Sequence, residues 1–241
     1  ANSIDFMAGE IEKLNDYQNK FIANVSHDFR SPLTSIKGYL EAMLDGTIPP
    51  EMYEKYLNIV LFETERLNKL TVSLLTLNNM NQGMMLDISS FDINEIIRKT
   101  ILTFEGVCAQ KKIKFNLTFS DKNTYVDADY GKIQQVIYNL IDNAVKFSHN
   151  NSEIKISLRK KGAKVFVSVK DSGIGIPKES LNKVFDRFYK TDISRGKDKR
   201  GTGLGLSISK EIIQAHNQTI NVVSTVDVGT EFVFTLKYHS K

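Results

Sequence analysis

The stretch FIANVSHDFRSPLTSIKGYLEAM, residues 21–43, decides the architecture of the first part of the chain. Asp45-Gly46 and Pro49-Pro50 interrupt its pattern shortly afterwards, so we predict a long helix that ends near residue 44. Its apolar residues recur at steps of three and four, the spacing that lines one face of an α-helix, at Ile22, Val25, Phe29, Leu33, Ile36, Leu40 and Met43.

A second apolar stripe follows the interruption, and polar residues with a glycine at 78–83 mark its end. Two helices alone cannot bury two such stripes, so we expect an α-helical hairpin that pairs with a second copy as a dimeric four-helix bundle. The second stripe runs through Leu57, Val60, Leu67, Leu70, Leu74 and Leu77.

The pattern changes after residue 86, which predicts two domains, 1–86 and 87–241. Short β-rich runs there alternate with helical segments, and adjacent runs such as 153–159 and 164–170 predict hairpins. Hairpins give a mixed sheet, so an α/β sandwich is expected and a doubly wound dinucleotide fold is disfavoured. The expected strands are 113–119, 153–159, 164–170, 219–224 and 230–238, and the expected helices are 92–110, 129–148 and 203–216.

Charge separates the same two regions. Residues 1–86 carry 7 Lys and Arg against 11 Asp and Glu, a net −4, whereas 87–241 carry 25 against 17, a net +8. The second region therefore suits an anionic ligand. Nucleic acid is disfavoured because the basic residues are scattered among acidic ones along the chain.

The remaining composition suggests an ordinary soluble chain in a reducing, cytoplasmic setting. Hydrophobic residues make up 41% of the 241 positions, and no apolar run approaches the roughly 20 residues that span a bilayer. Cys108 is the single cysteine, so an internal disulfide is excluded.

His27 is the candidate reactive residue of the first helix. It lies two positions beyond Val25, about 200° around the helix, and so points away from the apolar stripe together with Ser31. The neighbouring Asp28 can hold one ring nitrogen protonated and leave the other as a nucleophile. Pro32 removes a backbone donor one turn later, so we expect the helix to bend or loosen there.

Three polar residues of the predicted helix 129–148 form a second candidate site. Asn139, Asn143 and Lys146 fall at steps of four and three and share one face. An amide oxygen can coordinate Mg²⁺, and a lysine can offset phosphate charge.

Two glycine-rich stretches belong with this helix. In DSGIGIP, 171–177, Gly173 and Gly175 permit close approaches, and Asp171 can accept a hydrogen bond from an exocyclic amine, which favours adenine. The stretch GTGLGLSIS, 201–209, opens a helix whose N-terminus attracts phosphate. It is not a P-loop, because no Gly-Lys-Ser or Gly-Lys-Thr follows.

The segment between the two glycine-rich stretches is strongly basic. From Asp186 to Arg200 there are six basic and three acidic residues, which predicts a mobile lid over phosphates. Phe185 and Phe188 are expected to anchor the base of this lid in the core.

Taken together, the ordered motifs resemble those of bacterial sensor histidine kinases over roughly 21–238. Residues 21–43 resemble the H box, and the later stretches resemble the N box, the first glycine-rich box, the F box and the second glycine-rich box of an ATP-binding domain of the gyrase-like ATPase superfamily. The resemblance implies that His27 is autophosphorylated with Asp28 as its base. Here Asp-Phe-Arg-Ser-Pro follows the histidine where most members have Glu-Leu-Arg-Thr-Pro, and Ser31 leaves dephosphorylation of a partner open.

The resemblance also implies roles in the nucleotide site. Asn143 is expected to bind Mg²⁺ with Asn139 supporting it, Lys146 and Arg187 to lie near phosphates, and Phe147 to lie against adenine. The full expected nucleotide-binding set is Asn139, Asn143, Lys146, Phe147, Asp171, Gly173, Gly175, Arg187, Lys190, Gly201, Thr202, Gly203, Leu204 and Gly205.

The function that this resemblance implies is autophosphorylation of His27 by ATP with Mg²⁺, then transfer to an aspartate of a response-regulator receiver domain. We expect a homodimer, no nucleic acid and no direct membrane contact by this chain, within the cytoplasmic part of a membrane-anchored parent. Two alternatives stay open: a gyrase-like ATPase and a non-enzymatic, nucleotide-responsive dimer scaffold.

Overall fold

The structure is a computed structural model that describes residues 2–81, 85–191 and 201–240. The chain divides into two compact units, residues 1–75 and 76–241, which are taken separately below. The domain boundary expected at 86/87 lies between the second helix and the first strand, and it stays a prediction.

The first unit confirms the predicted helical hairpin. Helix α1 spans Asn2–Leu44 and helix α2 spans Tyr53–Asn81, with a short 3₁₀ turn at Pro50–Met52 before α2. The hydroxyl of Tyr53 donates to the carbonyl of Met43 at 2.9 Å and ties the two helices together. Pro32 lies inside helix α1, and the bend or loosening expected there stays a prediction.

The apolar stripes of the hairpin are only partly covered within one chain. Met43 and Leu70 are buried, but Leu33 and Leu57 remain about half exposed, at 52% and 48%. Leu61, outside the predicted stripe, is also 60% exposed. A single copy therefore leaves apolar surface of the kind that a second copy would cover.

The second unit is an α/β fold built on a seven-stranded mixed sheet. Its strand order is β1-β3-β7-β5-β4-β2, and β6 pairs with β7 beside this path. The strands are β1 Ile88–Asp92, β2 Lys114–Phe119, β3 Tyr125–Asp129, β4 Glu153–Lys161, β5 Lys164–Lys170, β6 Ile220–Thr225 and β7 Gly229–Tyr238. The helices are α3 Ile93–Leu102, α4 Glu105–Lys111, α5 Tyr130–Phe147 and α6 Gly205–Ala215.

Helices cover one face of this sheet. The covering helices α5 and α6 contribute Ile137, Leu140 and Ile212 to the core, and all three are 0% exposed. On the strands, buried residues alternate with residues on the opposite face, which we call the open face. The buried set is Ile154, Ile156 and Leu158 of β4, Val165, Val167 and Val169 of β5, and Phe232, Phe234 and Leu236 of β7.

The five predicted strands are present, and the antiparallel pairing of β4 with β5 confirms their hairpin. The helix expected at 92–110 is instead two helices, separated at Thr103 and Phe104. Strands β1 and β3 were not predicted: each has five residues, too few to establish an alternation, and β1 is largely exposed.

His216 has a structural role at the end of α6. Its Nδ1 donates to the carbonyl of Ile212 at 2.7 Å, and its Nε2 accepts from the amide of Asp129 at 2.9 Å. The neutral ring thus joins the end of α6 to the start of α5, because only a neutral imidazole can donate at one nitrogen and accept at the other.

Candidate functional site

His27 is held out into solvent on α1. Its side chain is 83% exposed, and Asp28 Oδ1 lies 3.6 Å from its Nδ1. This distance is too long for a direct hydrogen bond but short enough for electrostatic attraction to a protonated Nδ1. The arrangement leaves Nε2 accessible as a nucleophile.

Ser31 is exposed one helical turn after His27. The next hydroxyl along, that of Thr34, donates to the carbonyl of Arg30 at 2.9 Å. Ser31, four residues after His27 on the same helix, shares the face of His27.

Asp171 is the central buried acid of the second unit. It follows β5, is only 5% exposed, and accepts hydrogen bonds at Oδ1 from the amides of Gly173, at 3.0 Å, and Thr230, at 3.1 Å. Among the described residues, none donates to its Oδ2. Burial raises the pKa of Asp171 to about 6, while the two amides act in the opposite direction. At neutral pH the side chain is thus an anion with one oxygen available to a donor such as an exocyclic amine.

The glycines after Asp171 are required by close backbone contacts. A Cβ on Gly173 would lie 2.2 Å from the carbonyl oxygen of Phe147, at the end of α5. A Cβ on Gly175, which has φ +68°, would lie 2.1 Å from the carbonyl oxygen of Thr225. The loop is therefore packed directly against α5 and the β6–β7 hairpin, as its glycines predicted.

Sequence reasoning missed Gly229 and Thr230. Gly229 has φ +137°, and a Cβ there would lie 2.1 Å from the carbonyl oxygen of Asp171. Thr230 supplies one of the two amides that hold Asp171. The stretch Asp227-Val-Gly-Thr between two expected strands does indicate a turn, but nothing local shows that the turn meets residue 171.

The two asparagines of α5 have different surroundings. The Asn139 amide donates to the carbonyl of Gly205 at 3.1 Å and to Ser209 Oγ at 3.3 Å, so it fixes the start of α6 against α5. Asn143 is partly exposed, and no hydrogen bond joins its amide to another described residue. Asn143 therefore has its oxygen available for a ligand, whereas Asn139 positions the glycine-rich loop.

Two expected phosphate-binding cations have carboxylate partners. Lys146 Nζ lies 2.6 Å from Asp142 Oδ2, and Arg187 Nη2 lies 2.6 Å from Glu211 Oε1 on α6. Neither acid was singled out in the sequence. In this state the charge of both cations is partly balanced within the protein.

The second glycine-rich stretch lies against Phe188, near the start of the predicted lid. Gly203 has φ +69°, and a Cβ there would lie 2.8 Å from the carbonyl carbon of Phe188. The carbonyl of Gly203 accepts a hydrogen bond from the Phe188 amide at 3.0 Å. The Thr202 hydroxyl accepts from the amide of Leu204 at 3.3 Å, and Leu204 is buried just before Gly205 begins α6. Lys190 and Gly201 are half-buried on either side of the undescribed gap.

The predicted lid falls largely on residues 192–200, outside the described residues. At its base, Phe185 packs edge-on against Phe232 with ring centroids 6.1 Å apart, which agrees with an anchor in the core.

Within the described ranges, no group of three or more His, Cys, Asp or Glu residues is arranged to hold a metal ion. None of the described helices combines the length and apolarity needed to cross a bilayer.

The fold and both sites define a class of protein, and comparison with known families identifies it. Residues 17–83 match the His Kinase A (phospho-acceptor) domain, and 128–240 match the histidine kinase-, DNA gyrase B- and HSP90-like ATPase domain. The chain therefore belongs to the histidine kinases. The first domain implies dimerisation and the second implies ATP binding.

Particular relatives can be named. The chain is 37% identical over 238 residues to the sensor histidine kinase WalK of Bacillus subtilis (strain 168), covering 95% of this chain and 38% of that protein. The structure is similar to Acinetobacter baumannii histidine kinase AdeS, with TM-score 0.74 and 28% identity, covering 89% of this chain and 98% of that one. It is also similar to histidine kinase ThkA in complex with response regulator protein TrrA, with TM-score 0.75 and 31% identity. This match covers 91% of this chain and 61% of that one.

Proposed function

We propose that this chain binds ATP, phosphorylates its own His27 and passes the phosphoryl group to an aspartate of a response-regulator receiver domain. The observation that carries the proposal is the presence, in one chain, of an exposed histidine with a carboxylate 3.6 Å from Nδ1 and a buried Asp171 whose Oδ2 accepts from no other described residue.

The nucleotide site is proposed as follows. Asp171 Oδ2 accepts the adenine amine, and the amides on Oδ1 keep the carboxylate oriented. Phe147, at the end of α5, lies against adenine, and the loops of Gly173, Gly175 and 201–205 surround the phosphates.

Asn143 would hold a Mg²⁺ ion, because an amide oxygen suits this cation and the Asn143 side chain has no other partner among the described residues. Such an ion neutralises phosphate charge when bound. Lys146 and Arg187 add positive charge once phosphate oxygens compete with Asp142 and Glu211.

The chemical step follows from the geometry at His27. Nε2 attacks the γ-phosphorus of ATP. The bond between the γ-phosphorus and the β,γ-bridging oxygen breaks, and ADP leaves with the electron pair of that bond. The Asp28 carboxylate stabilises the positive charge that develops on the ring and accepts the Nδ1 proton as the phosphohistidine forms.

Transfer to a receiver aspartate is supported by the likeness to ThkA, whose structure contains a response regulator. Ser31 places a hydroxyl one turn after His27, which supports testing dephosphorylation of the regulator as a second activity. We further propose that the chain works as a homodimer, as its phospho-acceptor domain implies. We also propose that it acts in the cytoplasmic part of a membrane-anchored sensor, a proposal supported by its likeness to a protein named as a sensor histidine kinase.

Labelling with γ-³²P-ATP tests the proposal. The chain should acquire label that survives base and is lost in acid, and His27→Gln should abolish it. His239→Gln is the matched control and should label normally, because His239 bonds Asp127 at 2.6 Å, outside both proposed sites. Steady ATP hydrolysis unaffected by His27→Gln would support the ATPase alternative, and ATP binding without any label would support the scaffold.

A further inference from the structure

The open face of the sheet gathers four basic residues at the end where β4 turns into β5. Lys161 pairs with Lys164 across the hairpin, and Lys164 pairs with Lys237 of β7. Arg159 lies two residues before Lys161, hence on the same face. All four side chains are exposed, and we call this set the basic corner.

The placement on the open face follows from alternation along each strand. Leu158, Val165 and Leu236 are buried on the helix-covered face, at 1%, 0% and 0% exposure. Their immediate neighbours Arg159, Lys164 and Lys237 must therefore project from the opposite face. Lys161 joins them because it is directly opposite Lys164.

The basic corner has little compensating charge. Asp127 lies 3.4 Å from Lys237 Nζ, but it also bonds His239 at 2.6 Å. In the described part of the chain, no carboxylate pairs with Arg159, Lys161 or Lys164. Like charges directly opposite each other on neighbouring strands destabilise a sheet. A row of three lysines across β4, β5 and β7 is thus a cost that the fold itself does not offset.

The nucleotide site does not account for this charge. Lys164 begins β5 and Asp171 follows its end, seven positions later. At roughly 3.3 Å per residue, the two are about 23 Å apart along the strand. The basic corner is therefore at the opposite end of the sheet from the residue proposed to bind adenine.

We propose that the basic corner binds anionic phospholipid headgroups at a membrane surface. Its three lysines span about 10 Å across three strands, since neighbouring strands are about 4.8 Å apart. They are flexible point charges on three neighbouring strands, β4, β5 and β7, which suits several separate headgroup phosphates better than one oriented ligand.

This proposal departs from the expectation of no direct membrane contact. Along the sequence these cations are separated by up to 78 positions and mixed with acids. Pairing of β4, β5 and β7 brings them into one row, which the linear pattern does not show.

Vesicle co-sedimentation of the full chain tests the proposal. The probes are phosphatidylcholine vesicles with and without about one-third phosphatidylglycerol, an anionic content at which polybasic surfaces bind. The test variant is Lys161→Gln/Lys164→Gln/Lys237→Gln. The control is Lys114→Gln/Lys155→Gln/Lys170→Gln, which removes equal charge from exposed positions whose register places them nearer the nucleotide end of β4 and β5.

The wild-type chain should bind only the anionic vesicles, and binding should fall steeply with added salt. The basic-corner variant should lose on the order of 100-fold in partitioning, and the control variant should lose far less. Equal losses of vesicle binding in the two variants would mean that only the net charge of the chain matters, and this would overturn the proposal. Absence of wild-type binding, or binding only to a double-stranded DNA probe, would also overturn it. Thermal melting of all three chains checks that they are folded.

Discussion

At the residue scale, the buried Asp171 combines a proposed role in binding adenine with a cost in stability. Its pKa lies near 6, above the ordinary 3.8, because the side chain is buried. Between these two values the folded protein retains a proton that the unfolded chain has released. Stability therefore falls as pH rises through this window and stays lower above it.

We predict that Asp171→Asn stabilises the second unit at pH 8, by up to about 3 kcal/mol, and has little effect near pH 4. Asparagine keeps an oxygen for the Gly173 and Thr230 amides but removes the buried charge. Urea denaturation without nucleotide at the two pH values measures this difference.

The same substitution should weaken ATP binding by roughly 10- to 100-fold, because the amide NH₂ would face the adenine amine donor to donor. The control for the stability measurement is Asp127→Asn. The hydrogen bond from His239 lowers the pKa of Asp127, so this substitution should not stabilise the protein at pH 8. Unchanged ATP affinity in Asp171→Asn would remove Asp171 from the adenine site.

At the scale of elements, the site depends on contacts between segments that are distant in sequence. The β5 end, the α5 end and the β6–β7 hairpin meet at Asp171, Phe147 and Gly229. Asn139 adds the start of α6 to the same group. The Asp171 carboxylate is thus oriented by backbone amides and by tight backbone packing.

A pair of glycines at two hairpin turns tests this packing. Gly162 and Gly229 both have positive φ, +60° and +137°, but only Gly229 has backbone within reach of an added Cβ. We expect Gly162→Ala to cost about 1 kcal/mol of stability, from the backbone conformation alone. Gly229→Ala should cost more than about 3 kcal/mol, because backbone must move.

Denaturant unfolding measures the stability of these variants, and titration with a fluorescent ATP analogue measures their nucleotide affinity. Gly229→Ala should also lose nucleotide affinity, since the carbonyl it would displace belongs to Asp171, whereas Gly162→Ala should retain it. Similar behaviour of the two variants would mean that the contact at Gly229 is unimportant for the site.

At the scale of the whole molecule, the helical unit is incomplete as a single copy. Leu57 and Leu61 lie one turn apart on α2 and are 48% and 60% exposed. The phospho-acceptor domain family implies dimerisation, and these leucines are candidates for the surface between copies.

We predict that Leu57→Glu/Leu61→Glu converts the chain from a dimer to a monomer of 27.3 kDa, measured by light scattering at micromolar concentration. Burying two carboxylates between copies would be strongly unfavourable. Asn58→Glu/Asn68→Glu adds the same charge at exposed polar positions of α2 and should leave the dimer intact. If the Leu57→Glu/Leu61→Glu variant remained a dimer, the interface between the two copies would lie elsewhere.

Periodicity predicted the elements that have enough residues to show it. The helices of the hairpin, α5 and the β4–β5 pair each carry a repeated apolar spacing, whereas β1 and β3 have only five residues each. For the site, local chemistry was enough to single out Asp171 and the glycines as candidates, and their roles in binding nucleotide stay a prediction. The carboxylate partners of Lys146 and Arg187 were not foreseen, because a sequence does not show which acid will lie beside a given cation.

The sequence by itself determined the helical hairpin, the mixed α/β fold and the chemistry offered by His27, Asp28 and Asp171, since each depends on neighbours along one element. Only the tertiary structure decided that Gly229 and Thr230 hold Asp171, that Glu211 pairs with Arg187, and that lysines of three strands form one basic corner. Those features arise from strand pairing and packing between distant segments. Local spacing carries no information about them.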